Sequence, residues 1–177
     1  SSLCRGGLSM DRGRYYYAER DGITFIKMVG NLKYTTSSGF DRFVEELLEK
    51  GFENLLIDLS EATYIDSTNL GLIARLGERA RHRNDVHMSI ISTNEDINEI
   101  LRSVRFDRLF TIVESREKVE SPLRGTEQKE IEDVDSSRRE DLEMLAEAHR
   151  ALMDAHEENR PKFRDVVELL EEEMKDY

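Results

Sequence analysis

Cysteine is nearly absent: Cys4 is the one cysteine among 177 residues. That excludes a disulfide framework and a cysteine-based metal site, and it makes a reducing cytoplasm the expected setting. Long apolar runs are missing too. None approaches the ~18 residues that a membrane span needs, and no apolar h-region marks a signal peptide. Positive charge is in deficit, with 26 Lys/Arg against 38 Asp/Glu and a net charge of −12. No basic patch offers a surface to nucleic acid, and anionic membrane surfaces are disfavoured for the same reason. The patterns of catalysis are also lacking: no Ser-His-Asp order, no Walker loop and no dinucleotide fingerprint. Of His82, His87, His149 and His156, the last two lie seven apart on one helix face without an Asp, Glu or Cys to complete a tight ligand set. They read as stripe or interface residues, so no metal and no cofactor is expected. No catalytic constellation can be named.

What is present is a soluble, globular composition, 36% charged and 38% hydrophobic, long enough for one good core and a small appendage. The charge is unevenly spread. Residues 1–119 hold 17 Lys/Arg and 19 Asp/Glu, a net of −2, while residues 120–177 hold 9 and 19, a net of −10. The expected division is a tag remnant or disordered prefix over 1–9, a folded domain over 10–119, a linker over 120–136 and an acidic helical hairpin over 137–177.

Local patterns give an element order. Tyr15–Glu19 reads as a strand, Arg20-Asp21-Gly22 as a hairpin turn, and Ile23–Val29 as a second strand ended by Gly30-Asn31. Ser37 or Ser38 caps a helix to about Lys50, stopped by Gly51. Asn54–Leu59 is a continuous apolar run that suits a buried central strand. A helix from about Thr68 to Arg83, a strand over His87–Ile91, a short helix capped by Asn94, and an edge-like strand over Leu109–Val113 follow. This β-β-α-β-α-β-α-β order predicts an α/β fold with a mixed, largely parallel sheet of four to five strands. Two further helices, Ser137–Glu158 and Pro161–Asp176, carry thin stripes: Leu142, Leu145, His149, Leu152, Met153 and His156 on the first, and Phe163, Val166, Val167, Leu170 and Met174 on the second. Neither stripe makes an independent core. The pair is expected to dock on the main body, a second subunit or another protein.

The chemistry concentrates in Tyr64-Ile65-Asp66-Ser67-Thr68-Asn69-Leu70-Gly71-Leu72-Ile73-Ala74, where an apolar strand meets an amphipathic helix. The backbone N–H groups of a first helical turn are free, so a phosphate on a hydroxyl there meets the positive end of the helix dipole. The plainer reading of Ser67 and Thr68 is that they only cap the helix. The segment resembles the signature of the STAS domains, most closely the anti-sigma factor antagonists, whose Asp-Ser-Ser/Thr-Gly-Leu-Gly carries a regulatory phosphorylation site directly after the Asp. The resemblance spans about residues 14–119 in element order and spacing. It implies the STAS fold, with helices mainly on one face of the sheet, and phosphorylation at Ser67, with Thr68 as rival.

The resemblance further implies a partner surface of Asp66, Asn69, Leu70, Ile73, Lys33 and Tyr34, on which a phosphate meets an incoming protein as a bulky dianion. Two positions depart from the family. Asn69 stands where the family has Gly, placing a side chain on the recognition surface, and Lys33 stands where it often has Asp. The implied partners are a GHKL-type serine kinase acting as anti-sigma factor and a PP2C-type phosphatase, in a bacterial partner-switching pathway in the cytoplasm. The alternatives are a stressosome-like scaffold subunit, with a homodimer or larger assembly formed through the C-terminal helices, and a lipid or small-molecule transport accessory protein. The Ser-Thr pair argues against the last.

Overall fold

The computed structural model describes residues 12–81, 87–114 and 126–177. Strand β1 (Arg14–Arg20) turns back through Asp21 and Gly22, both at positive φ as an Asp-Gly hairpin requires, into β2 (Ile23–Leu32). Helix α1 (Ser38–Lys50) is followed by β3 (Asn54–Asp58), β4 (Ala62–Ile65) and helix α2 (Ser67–Arg81). Then come β5 (His87–Ile91), α3 (Glu95–Ser103), β6 (Thr111–Val113), β7 (Lys129–Ile131), α4 (Arg138–Ala155) and α5 (Arg160–Met174).

The strands form one seven-stranded mixed sheet in the order β6-β5-β3-β2-β1-β7, with β4 also paired to β2. β2, β3, β5 and β6 are parallel, and their register stacks Ile26, Ile57, Ile90 and Ile112 in one row across the sheet. β1 runs antiparallel to both β2 and β7. β3 alternates between buried and half-buried residues, so its apolar run is buried on one face of the sheet and not on both. The core lies on the helix side, where Phe40, Val44, Leu72, Ile73 and Leu76 meet Met28, Leu32, Ile57 and Ile90.

Four elements differ from the sequence reading. β2 does not end at Gly30. Gly30 takes φ +81°, the register shifts there, and the strand continues to Leu32 alongside β4. β4 and β7 are additional strands of four and three residues, and β7 falls within the expected linker. Ser37 occupies the N-cap position of α1 but makes no capping bond; its buried hydroxyl instead donates to the Lys33 carbonyl at 2.7 Å.

The two C-terminal helices form a hairpin on the main body. α4 opens with a capping box between Ser137 and Glu140, and its main packing partner is α2. Its buried residues include Ala146, Ala148 and Ala151 beside Leu142, Met144, His149 and Leu152, so the contact is broader than the large-residue stripe indicates. α5 packs on α4 and buries only Val167 fully.

Candidate functional site

Helix α2 begins where β4 delivers Asp66 against the end of β2. The Asp66 N–H donates to the Leu32 carbonyl at 3.0 Å, which fixes the entry of the chain into the helix. The Asp66 side chain is the cap. Its Oδ1 accepts the Asn69 N–H at 2.9 Å, and its Oδ2 accepts the Tyr34 N–H at 2.7 Å. One carboxylate therefore closes the first turn of α2 and ties it to the turn after β2.

Because Asp66 caps the helix, Ser67 does not. It is the first residue of α2, and its hydroxyl leaves the helix for a residue 82 positions away: Ser67 Oγ lies 2.8 Å from His149 Nε2. The other ring nitrogen, His149 Nδ1, lies 2.6 Å from the Leu145 carbonyl, which can only accept. Nδ1 therefore donates, and in the neutral tautomer that this selects Nε2 accepts from the Ser67 hydroxyl. His149 is 4% exposed and rests edge-to-face on Phe163 of α5, with ring centroids 5.7 Å apart.

Beneath Ser67 lies a buried polar network. Asn69 is fully buried, so its side chain is not on a recognition surface as the sequence suggested. It points inward, where its amide donates to Asp66 Oδ1 (2.9 Å) and to Ser37 Oγ (3.0 Å). Its Oδ1 accepts from the Tyr15 hydroxyl at 2.5 Å. Burial pushes the Tyr15 phenol well above its ordinary range, the Asp66 and Asp133 charges add to that, and hydrogen bonds to Ser37 and Asn69 oppose it. A glycine at position 69 could not fill this cavity with hydrogen bonds, so Asn69 replaces backbone freedom with a fastener between β1, α1 and α2.

The remaining expected residues fall into two groups. Lys33 is exposed and Tyr34 half-buried at the rim of the Asp66 cap. Leu70 and Ile73 are buried, at 3% and 0% exposure, and are not open surface. Ser67 itself is half-buried, and its rival Thr68 is buried at 2%. Over Ser67 the covering element is α4. At Gly71 the two backbones come so close that a Cβ would lie 2.2 Å from the Ala148 carbonyl oxygen. The His149 contact with Ser67 escaped the sequence reading; the available signal was a histidine set in the apolar stripe of α4. His82 lies outside the described residues, and His156 accepts from the Glu158 N–H at the turn before α5. Among the described residues, no group of three or more His, Cys, Asp or Glu is placed to hold a metal ion, and no helix is long and apolar enough to cross a membrane.

A mixed α/β sheet that presents a capped serine at the strand-to-helix joint defines the class. The family model of the STAS domain matches residues 16–119, and the chain belongs to that family. Among solved structures, it is similar to an anti-sigma factor antagonist from Mycobacterium paratuberculosis, with a TM-score of 0.52 and 14% identity over 60% of this chain and 90% of that one. It is also similar to the protein TM1081, solved by NMR, with a TM-score of 0.49 and 23% identity over 61% and 86% of the two chains. No curated protein matches the chain in sequence. The family match ends before α4 and α5.

Proposed function

We propose that this STAS protein is an anti-sigma factor antagonist, a phosphorylation-switched binding module of a bacterial, cytoplasmic partner-switching pathway. In its unphosphorylated form it sequesters a GHKL-type serine kinase that doubles as anti-sigma factor. Phosphorylation of Ser67 by that kinase releases it, and a PP2C-type phosphatase restores the binding form. The protein is substrate and ligand in this cycle and not an enzyme.

The observation that carries the reading is the division of labour at the start of α2. Asp66 supplies the cap, so the Ser67 hydroxyl is not needed to hold the helix. A phosphoryl group adds about −1.5 to −2 charges at pH 7. At the first position of α2 it meets a favourable helix dipole, so the helix itself tolerates it. A partner seated on the same face meets a dianion next to Asp66. A loss of only about 3 kcal/mol is roughly a hundredfold in affinity, enough to switch binding.

The scaffold reading asks α4 and α5 to form an oligomeric contact. α4 uses its apolar face on α2 of the same chain, which favours the switch. The test is a set of pull-downs with wild type, Ser67→Ala and Ser67→Asp as baits, together with labelling by the captured kinase and ATP. Labelling that depends on Ser67, with Ser67→Asp losing the kinase, is expected. Full labelling of Ser67→Ala, or equal capture by all three baits, rejects the proposal.

A further inference from the structure

The face of α2 that the proposed function assigns to a partner protein is occupied in this chain by its own C-terminal hairpin. The geometry points to α4–α5 as a cap in cis that competes with the partner for α2 and is displaced when Ser67 is phosphorylated. The inference rests on the reading of Ser67 as the regulated residue and adds the occupant of its surface.

Three observations carry it. The first is position. α4 lies on the Ser67, Gly71 and Arg75 side of α2, and it packs more extensively on α2 than any other element does. The family match stops before α4, so the cover is an addition to the domain and not part of its shared core. The second is chemistry. α4 holds Ser67 by a hydrogen bond, and in the neutral tautomer of His149 that bond uses the hydroxyl proton that phosphorylation removes. The hairpin therefore reads the same bit of information as the partner. The third is the absence of slack. Ser67 Oγ and His149 Nε2 are 2.8 Å apart, so in the present Ser67 rotamer a phosphorus atom and its oxygens enter space that the imidazole now fills. α4 cannot shift inward to make room elsewhere, because at Gly71 it already rests on backbone. It can only move out.

The consequence is a threshold. A protein that needs the α2 face binds only the fraction of molecules in which the hairpin is open, so its apparent Kd rises by the inverse of that fraction. By reciprocity, whatever seats on α2 displaces the hairpin, and the hairpin's departure follows Ser67 phosphorylation as the partner's does.

The experiment installs phosphoserine at position 67 of the full chain during translation, with no kinase required, and follows amide hydrogen exchange by element. Exchange in α4 and α5 is expected to accelerate at least tenfold while β2, β3 and β5 stay as protected as in the unmodified chain. The full-length His149→Ala variant, which removes the acceptor without adding charge, is expected to accelerate the same two helices to a smaller degree. Unchanged or slower exchange in α4 and α5 of the phosphorylated chain overturns the cap, the slower case being a phosphate held by a protonated His149. Equal acceleration of the sheet also overturns it, since the hairpin is then an inseparable part of the core. Because no kinase enters this measurement, a chain that opens on phosphorylation but is never labelled at Ser67 by a GHKL-type kinase keeps the cap and loses the proposed function. A chain that is labelled but stays closed does the reverse.

Discussion

Gly71 of α2 and Ala148 of α4 meet backbone to backbone: a Cβ on the glycine would sit 2.2 Å from the alanine's carbonyl oxygen and 2.4 Å from its carbonyl carbon. Ala148 and Ala151 allow the approach from the other side, both being buried and small. The contact has the character of a helix pair held by the lack of side chains, and it makes the docking of the hairpin sensitive to one methyl group.

Gly71→Ala follows directly. In a helix interior this exchange ordinarily stabilises by about 1 kcal/mol, because glycine loses more backbone freedom on folding. Here the overpacking term, typically about 1–3 kcal/mol, opposes it and is expected to win, since the obstacle is backbone and not a flexible side chain. The variant should show a lower urea midpoint and faster proteolytic cleavage within α4. A variant more stable than its parent, with α4 equally resistant, would mean that α4 does not rest on Gly71.

Tyr15→Phe probes the network beneath Ser67. The substitution keeps the ring, which stacks on Phe40 with centroids 4.6 Å apart, and removes the hydroxyl that Asn69 Oδ1 accepts from. Asn69 Oδ1 then keeps only the longer bond from Ser37 Oγ at 3.2 Å, and the loss, at most about 1–3 kcal/mol, is measured by denaturant unfolding. The same phenol predicts an alkaline limit. Its folded pKa is raised, chiefly by burial, above the ordinary value of about 10. Its contribution to stability is thus present in full below pH ~10 and is lost as the pH rises beyond that value. Tyr15→Phe should remove this part of the alkaline destabilisation, and an unchanged profile would show that Tyr15 is not the group responsible.

Most of the fold and half of the site were legible in the sequence, for reasons that particular residues show. The Asp21-Gly22 turn, the Gly51 stop and the Asn94 cap are local chemistry, and each appears where its pattern places it. β4 and β7 were not legible, because four and three residues are too few for a period to register, and both exist through pairing with distant strands. The Ser67 position was readable from its neighbours. Its environment was not: Asn69 turns inward because Tyr15, 54 residues away, supplies a donor, and Ser67 is covered because His149 lies 82 residues further on. The thin-stripe reading of α4 missed its alanines, which pack by being small and leave no mark in a hydrophobic pattern of large residues.

Asn159 is expected to hold the base of the hairpin. It is fully buried in the turn between α4 and α5, and its amide donates to the Val104 carbonyl and the Leu152 carbonyl, both at 2.9 Å. One bond closes the turn on α4, and the other anchors it beside α3. Asn159→Ala leaves two buried carbonyls without donors and should cost about 2–4 kcal/mol in urea unfolding, at about 1–2 kcal/mol for each. Asn159→Asp should be at least as costly, since it places a carboxylate against two carbonyl oxygens. Parent-like stability in both variants would show that the turn is not held by this side chain.

Asp41 gives the hairpin contact a pH dependence opposite to that of most carboxylates. Asp41 of α1 lies 3.0 Å from Arg75 of α2, which is also 3.9 Å from Glu45 and 3.7 Å from Glu147 of α4, so one guanidinium serves three carboxylates. Burial pushes the Asp41 carboxyl up from 3.8 to about 6; Arg75 pulls it down, and Glu45 and Glu147 push it further up. A folded pKa above the unfolded one means that the fold favours the protonated acid. The contribution of Asp41 to stability is complete below pH 3.8, falls as the pH rises from 3.8 towards 6, and is lost above that. On acidification from pH 7 to pH 4, this group therefore strengthens the α1–α2–α4 junction while ordinary salt-bridged carboxylates weaken the protein. Asp41→Asn removes the titration and keeps the shape. The difference in urea midpoint between wild type and Asp41→Asn should shift towards wild type as the pH falls through 6 to 4, and a difference that stays constant across that range would rule out Asp41 as the titrating group.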